Sequence, residues 1–164
     1  MKKIIVLAIA FLFIFPVSSF AEKRHDMAGL QFKTPNGWTP SVKRYTITIS
    51  KNDQNELLMV TNMPYQGNLP VLSEVKGDLK QMGNKLLKNA VEKDLVLHKF
   101  DRGQVKGYYF TLTDKAPKPG EYEYMTEGAV ISDRIFVIFT VLSNGLRDPS
   151  EEALAMIASV RSSK

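Results

Sequence analysis

The sequence predicts an α+β fold: a central, mainly antiparallel sheet of about seven strands with two main helices. Three observations carry this. The stretch Ile135–Leu142 (Ile-Phe-Val-Ile-Phe-Thr-Val-Leu) is apolar at both alternate positions. Such a strand must be covered on both faces, so it belongs in the middle of a sheet. It ends a run of three consecutive strand patterns, Gly107–Thr113, Glu121–Ser132 and Ile135–Leu142, joined by connections short enough to make them antiparallel neighbours. Two helical patterns, one near the middle of the chain and one at its end, supply the covering layers.

The chain begins with an address. Lys2 and Lys3 precede an unbroken apolar run, Ile4–Phe15, and Pro16 ends it. Ser19-Phe20-Ala21 puts small residues where a signal peptidase reads, which predicts cleavage after Ala21. The run is short for a bilayer of about 30 Å, so a cleaved signal is preferred to an anchor. The expected mature chain is one domain of about 143 residues, enough to bury roughly two-thirds of its unfolded surface. It contains no cysteine, so no disulfide supports it, and the expected location is periplasmic or secreted. Loss of Lys2 and Lys3 from 22 basic residues, set against 17 acidic ones, leaves a net charge of about +3. That is too mild to point to nucleic acid, and it limits membrane contact to a peripheral one.

Glu22–Ala28 shows no periodicity and reads as a flexible leader, so the domain is expected over 29–164. Gly29–Lys33 alternates and predicts a first strand. Thr34-Pro35-Asn36-Gly37 carries turn chemistry, and Trp38 follows as a plug at the sheet edge. Arg44–Ser50 alternates cleanly, with Tyr45, Ile47 and Ile49 opposite Thr46, Thr48 and Ser50. Glu56–Met63 is the returning strand, and Tyr65–Pro70 a loop. Ser73 opens a helix to about Val91, with Val75, Leu79, Met82 and Leu86 as its stripe; Gly77 and Gly83 weaken it. Its lysines, Lys76, Lys80, Lys85 and Lys88, spread around the remaining circumference as a solvated face. Leu95–Phe100 is a strand, and Asp133-Arg134 closes the last hairpin. Asp148-Pro149-Ser150-Glu151 reads as an N-cap, a first-turn proline and a capping glutamate for the final helix, whose packing face is Leu154, Ile157, Ala158 and Val160.

This order of elements, with Pro-Asn-Gly-Trp at 35–38, Gly-Tyr-Tyr-Phe at 107–110 and Ile157-Ala158-Ser159-Val160-Arg161 near the end, resembles the PsbP-like superfamily. That group includes the extrinsic photosystem II protein PsbP, a yeast Ran-binding nuclear-import factor and many exported bacterial proteins. The resemblance spans nearly all of residues 29–162. It implies an α-β-α sandwich around an antiparallel sheet, no shared catalytic residues and action by binding other proteins. The signal peptide argues against the photosynthetic and nuclear roles.

The residues themselves offer little chemistry. His25 and His98 have no cysteine or carboxylate at ligand spacing, so no metal or other cofactor is expected. No serine sits in a Gly-x-Ser-x-Gly context. Glu121, Glu123 and Glu127 fall on alternate positions of one predicted strand and so face one side. They read as its wet face, with Tyr122 and Tyr124 pointing inward; the competing reading is an acid/base cluster of a hydrolase. The Lys115–Gly120 loop, with two prolines and two lysines, should project from the sheet. Lys115, Lys118, Tyr122 and Tyr124 form the candidate partner-contact patch. The expected function is an exported, non-enzymatic binding or accessory protein with a protein partner in the cell envelope. A peripheral protein held at the membrane by its lysines is the remaining alternative.

Overall fold

The computed structural model describes residues 22–63, 68–132 and 134–163. The expected signal peptide at 1–21, Pro64, residues 65–67 of the expected loop and Asp133 of the last hairpin lie outside the described residues. No helix among the described residues is long and apolar enough to cross a membrane.

In chain order the elements are β1 (Lys23–Met27), β2 (Leu30–Thr34), β3 (Trp38–Lys43), β4 (Thr46–Lys51) and β5 (Glu56–Met63). Then come α1 (Leu72–Leu86), a single 3-10 turn (Leu87–Asn89), β6 (His98–Arg102), β7 (Val105–Thr113) and β8 (Tyr124–Ser132). The chain ends with β9 (Ile135–Ser143), α2 (Glu151–Ala158) and β10 (Arg161–Ser162). A seven-stranded antiparallel sheet runs β3-β4-β5-β9-β8-β7-β6, and a small sheet runs β1-β2-β10.

The doubly apolar strand β9 is the middle strand of the seven. Its alternate side chains enter two different cores. Ile135, Val137, Phe139 and Val141 are buried with Ile47, Ile49, Leu58, Val60, Phe100 and the α2 residues Ala153, Leu154, Met156 and Ile157. Phe136 and Ile138 pack instead with Val75 and Leu79 of α1, and with Phe110, Leu112 and Ala129. Each fully buried side chain of this size contributes roughly 1.5–3 kcal/mol, so β9 ties both cores to one backbone.

Helix α1 follows its predicted stripe: Val75 and Leu79 are buried, and Met82 and Leu86 pack against the same core. Its start differs from the expectation. Val71, not Ser73, is the cap, and the Glu74 carboxylate accepts the Val71 N–H at 3.0 Å. Gly83 does more than weaken the helix. A Cβ there would lie 2.6 Å from both methyls of Leu95 and 3.1 Å from Phe110, so its lack of a side chain lets α1 sit close. At α2 the cap is Ser150 rather than Asp148; its Oγ accepts the Ala153 N–H at 3.1 Å. The Ser150 N–H in turn donates to the buried Glu56 carboxylate at 3.0 Å.

Besides the two-residue β10, which falls where the final helix was expected to end, two strands were not visible in the sequence. The supposed leader is β1: Lys23–Met27 pairs antiparallel with β2 through a tight turn at Ala28 (φ 52°) and Gly29 (φ 76°). Both positive φ values suit a two-residue hairpin. Met27 packs against the first core, His25 stacks on Phe32 at 5.1 Å, and a hydrogen bond of 2.8 Å joins His25 Nε2 and Thr34 Oγ1. The other is β3, an edge strand whose Pro40 needs no ladder N–H. Only Trp38 on it is buried, and its Nε1–H donates to Glu152 of α2 at 3.0 Å. The predicted first strand therefore belongs to the small sheet, and β3 is the seventh member of the large one.

Candidate functional site

A groove of about 440 Å³ opens at the end of α1. Its apolar lining comes from Leu86 of α1, Ala90, Leu112 of β7, Met125 of β8 and Leu142 of β9. The chain after α1 is held to the end of β7: Ala90 bridges Asp114, and the Val91 N–H donates to the Thr113 carbonyl at 2.9 Å. The loop between β7 and β8 forms the opposite wall, and its shape is set by its own hydrogen bonds. The Asp114 N–H donates to the Glu123 carbonyl, and the Glu121 N–H to the Lys118 carbonyl, both at 2.9 Å. The Asp114 carboxylate accepts the Ala116 N–H at 2.9 Å, and the Asn144 side chain accepts the Glu123 N–H at 2.9 Å. Gly120, at φ 85°, makes the turn that returns the loop toward the sheet.

Glu92 braces this end from behind. Its carboxylate accepts the Thr113 N–H at 2.9 Å, the Thr113 hydroxyl at 2.7 Å and the Arg147 guanidinium at 3.1 Å. Burial works against the Glu92 charge, but the Thr113 and Arg147 donors outweigh it and hold the carboxyl below its ordinary range.

The four residues of the predicted contact patch divide. Tyr122 and Tyr124, both half-buried, line the groove. The interaction of Tyr124 with the Glu123 carboxylate pushes its phenol above the usual range. Lys115 and Lys118 are not part of the lining. Lys115 Nζ donates to the Lys88 carbonyl at 3.0 Å, which fastens the loop to the end of α1. Lys118 Nζ stands 3.9 Å from Glu121 Oε1, with both side chains exposed.

The carboxylate alignment expected along one strand does not form. Strand β8 begins at Tyr124, so Glu121 and Glu123 lie in the preceding loop and line the groove together with Asp114. Tyr122 accordingly lies in the loop and Tyr124 opens β8, and neither belongs to the two apolar clusters. Glu127 is separate: it sits within β8, and its Oε1 accepts the Thr140 hydroxyl at 2.8 Å. Burial pushes its carboxyl above the usual range, against the opposing effect of that hydrogen bond. His98 is exposed on edge strand β6 and stacks on Tyr109 at 5.2 Å. No group of three or more metal-ligating side chains occurs among the described residues.

Sequence reasoning missed the groove's apolar lining. Leu86, Ala90, Leu112, Met125 and Leu142 read locally as core residues of separate elements, and only the sheet order brings them together.

No protein-family model and no curated protein matches this chain. A solved structure from Bacteroides thetaiotaomicron VPI-5482 is similar, at 16% identity and a TM-score of 0.47. The match covers 83% of this chain and 46% of that one, so this chain spans less than half of its length.

Proposed function

We propose that this chain is an exported, non-enzymatic binding or accessory protein of the PsbP-like superfamily that holds a segment of another protein in the groove at the end of α1. The observation that carries the reading is the groove itself: an apolar floor from α1, the segment after it, β7, β8 and β9, walled by Tyr122, on a loop that its own hydrogen bonds keep in shape, and by Tyr124 at the start of β8. Tyrosine is well suited to such a surface, since it offers a large contact area at little entropic cost. An α-β-α sandwich is the layout we assign. Its support is that α1 and α2 contribute to different apolar clusters fed by alternate residues of β9.

The test is site-specific photocrosslinking in cells, with the photoreactive residue replacing Tyr122 or, as a control, Lys76 on the exposed side of α1. A discrete adduct from position 122 and not from position 76 is expected. No adduct from either, or the same adducts from both, overturns the reading. Intact-mass analysis of the fractionated protein tests export: a periplasmic species beginning at Glu22 is expected, and a membrane-bound species retaining Met1 would refute it.

A further inference from the structure

The groove's charge is one-sided. Asp114, Glu121 and Glu123 line it, and no lysine or arginine does. Two nearby cations are engaged elsewhere: Lys115 is bonded to the Lys88 carbonyl, and Arg147 pairs with Glu92 at 3.1 Å and approaches Asp148. Lys118 stands near the groove's own Glu121, but at 3.9 Å and with both side chains exposed, and its backbone N–H donates to the same carboxylate at 3.2 Å. Asp114 and Glu123 have no ion-pair partner within 4.0 Å among the described residues. This arrangement runs against the molecule's overall charge, which is net positive.

From this we infer that the groove selects a peptide segment that presents an apolar side chain next to a lysine or arginine. The inference rests on the binding function proposed above and names the chemistry of its partner. The cavity makes the site, and the carboxylates choose among its occupants. Leu112, Met125 and Leu142 take the apolar side chain. The neighbouring cation meets Glu121 and Glu123 at the rim, where its long stem can lie across Tyr122 or Tyr124. An acidic segment would place like charges against three carboxylates, which disfavours it.

The experiment is a pair of capped tripeptides, acetyl-Leu-Arg-Leu-amide and acetyl-Leu-Glu-Leu-amide, titrated into isotope-labelled protein at low salt and followed by amide and methyl chemical shifts. The expected result is saturable shifts at Leu112, Met125 and Leu142 with the arginine peptide, and weaker binding of the glutamate peptide. The Glu121→Gln/Glu123→Gln double variant, changed only at loop positions, should weaken the arginine peptide about fivefold, as expected for two rim charges. It should also narrow the gap between the two peptides. Equal affinity of the peptides for the groove, or no effect of the double variant, overturns the inference about charge while leaving the groove as a peptide site. Shifts that map away from the groove overturn it as well, and photocrosslinking at Tyr122 then decides the broader reading by itself. Raising the ionic strength to 0.5 M should remove most of the preference, because exposed charges are screened over a few ångströms there.

Discussion

Replacing Gly107 by alanine tests how tightly β7 and β8 are joined. Gly107 pairs with Val130, and a Cβ built on it would lie 2.0 Å from the Ala129 carbonyl oxygen and 2.8 Å from the Val130 Cα. Ordinary carbon–oxygen approaches are about 3.3 Å or more. The strands must therefore part locally by about an ångström. The obstacle is backbone, so no side-chain rotation relieves it. Opening the ladder there loses about two backbone hydrogen bonds at about 1 kcal/mol each. Displacement of the packed core behind it adds about 1 kcal/mol or more. The total is a loss of about 3 kcal/mol, or roughly 6–12 °C in Tm for a domain of this size. Gly77→Ala is the internal control, because that position is exposed on α1 with nothing within 4 Å of the added Cβ. It should stabilise by about 0.5–1 kcal/mol. Both values come from urea unfolding at 25 °C with the slope checked for constancy. A Gly107→Ala loss below about 1 kcal/mol, with the native β7–β8 amide shifts intact, would refute the close-approach argument.

Four further substitutions probe the charged and capping groups. Glu127→Gln should be neutral in acid and stabilising at neutral pH. The native carboxyl titrates above its unfolded value of about 4.3, so its favourable contribution is full below that pH and disappears as pH rises through the native pKa. Urea midpoints measured from pH 3 to 8 should therefore diverge upward, and parallel curves would count against the burial of Glu127. Glu92→Gln should behave in the opposite way. Its native carboxyl titrates low, so its contribution is present above the unfolded pKa and is lost as pH falls through the native one. The variant should be less stable by about 1 kcal/mol at pH 7, with the gap closing in acid, read from the same titration. Ser150→Ala removes the side-chain cap of α2 and should cost about 1 kcal/mol by urea unfolding, whereas Asp148→Ala should cost much less.

The elements legible in the sequence are those whose burial is strong and periodic. Strand β9 announces its central place because both of its faces are apolar, β4 because Ile47 and Ile49 alternate with hydroxyl residues, and α1 because its stripe is regular. Edge elements carry no such signal. β1 reads Lys-Arg-His-Asp-Met and β3 buries little beyond Trp38, so their strand character comes from backbone pairing rather than side-chain pattern. Both caps were displaced by two residues: α1 starts from Val71, which carries no capping side chain, and at α2 Asp148 and Ser150 both offer one and geometry alone decides between them. The tyrosines that line the groove stand out in the sequence because they lie beside a distinctive loop. The carboxylates were misassigned because a period-two pattern was extended past the point where β8 begins.

The placement of Trp38 has a practical consequence. It is the molecule's one indole, packed beneath α2 with its N–H on Glu152 and the Lys51 ammonium 5.6 Å from its ring. Intrinsic fluorescence excited at the red edge of absorption is therefore a single-site optical gauge of whether α2 is seated on the sheet. Its emission should shift to longer wavelength when that helix detaches, even if the rest of the chain stays folded. The groove, built against the other core, holds tyrosines and no indole. An emission assay would thus register loosening of α2 and pass over occupancy of the groove, which calls for methyl or tyrosine resonances instead.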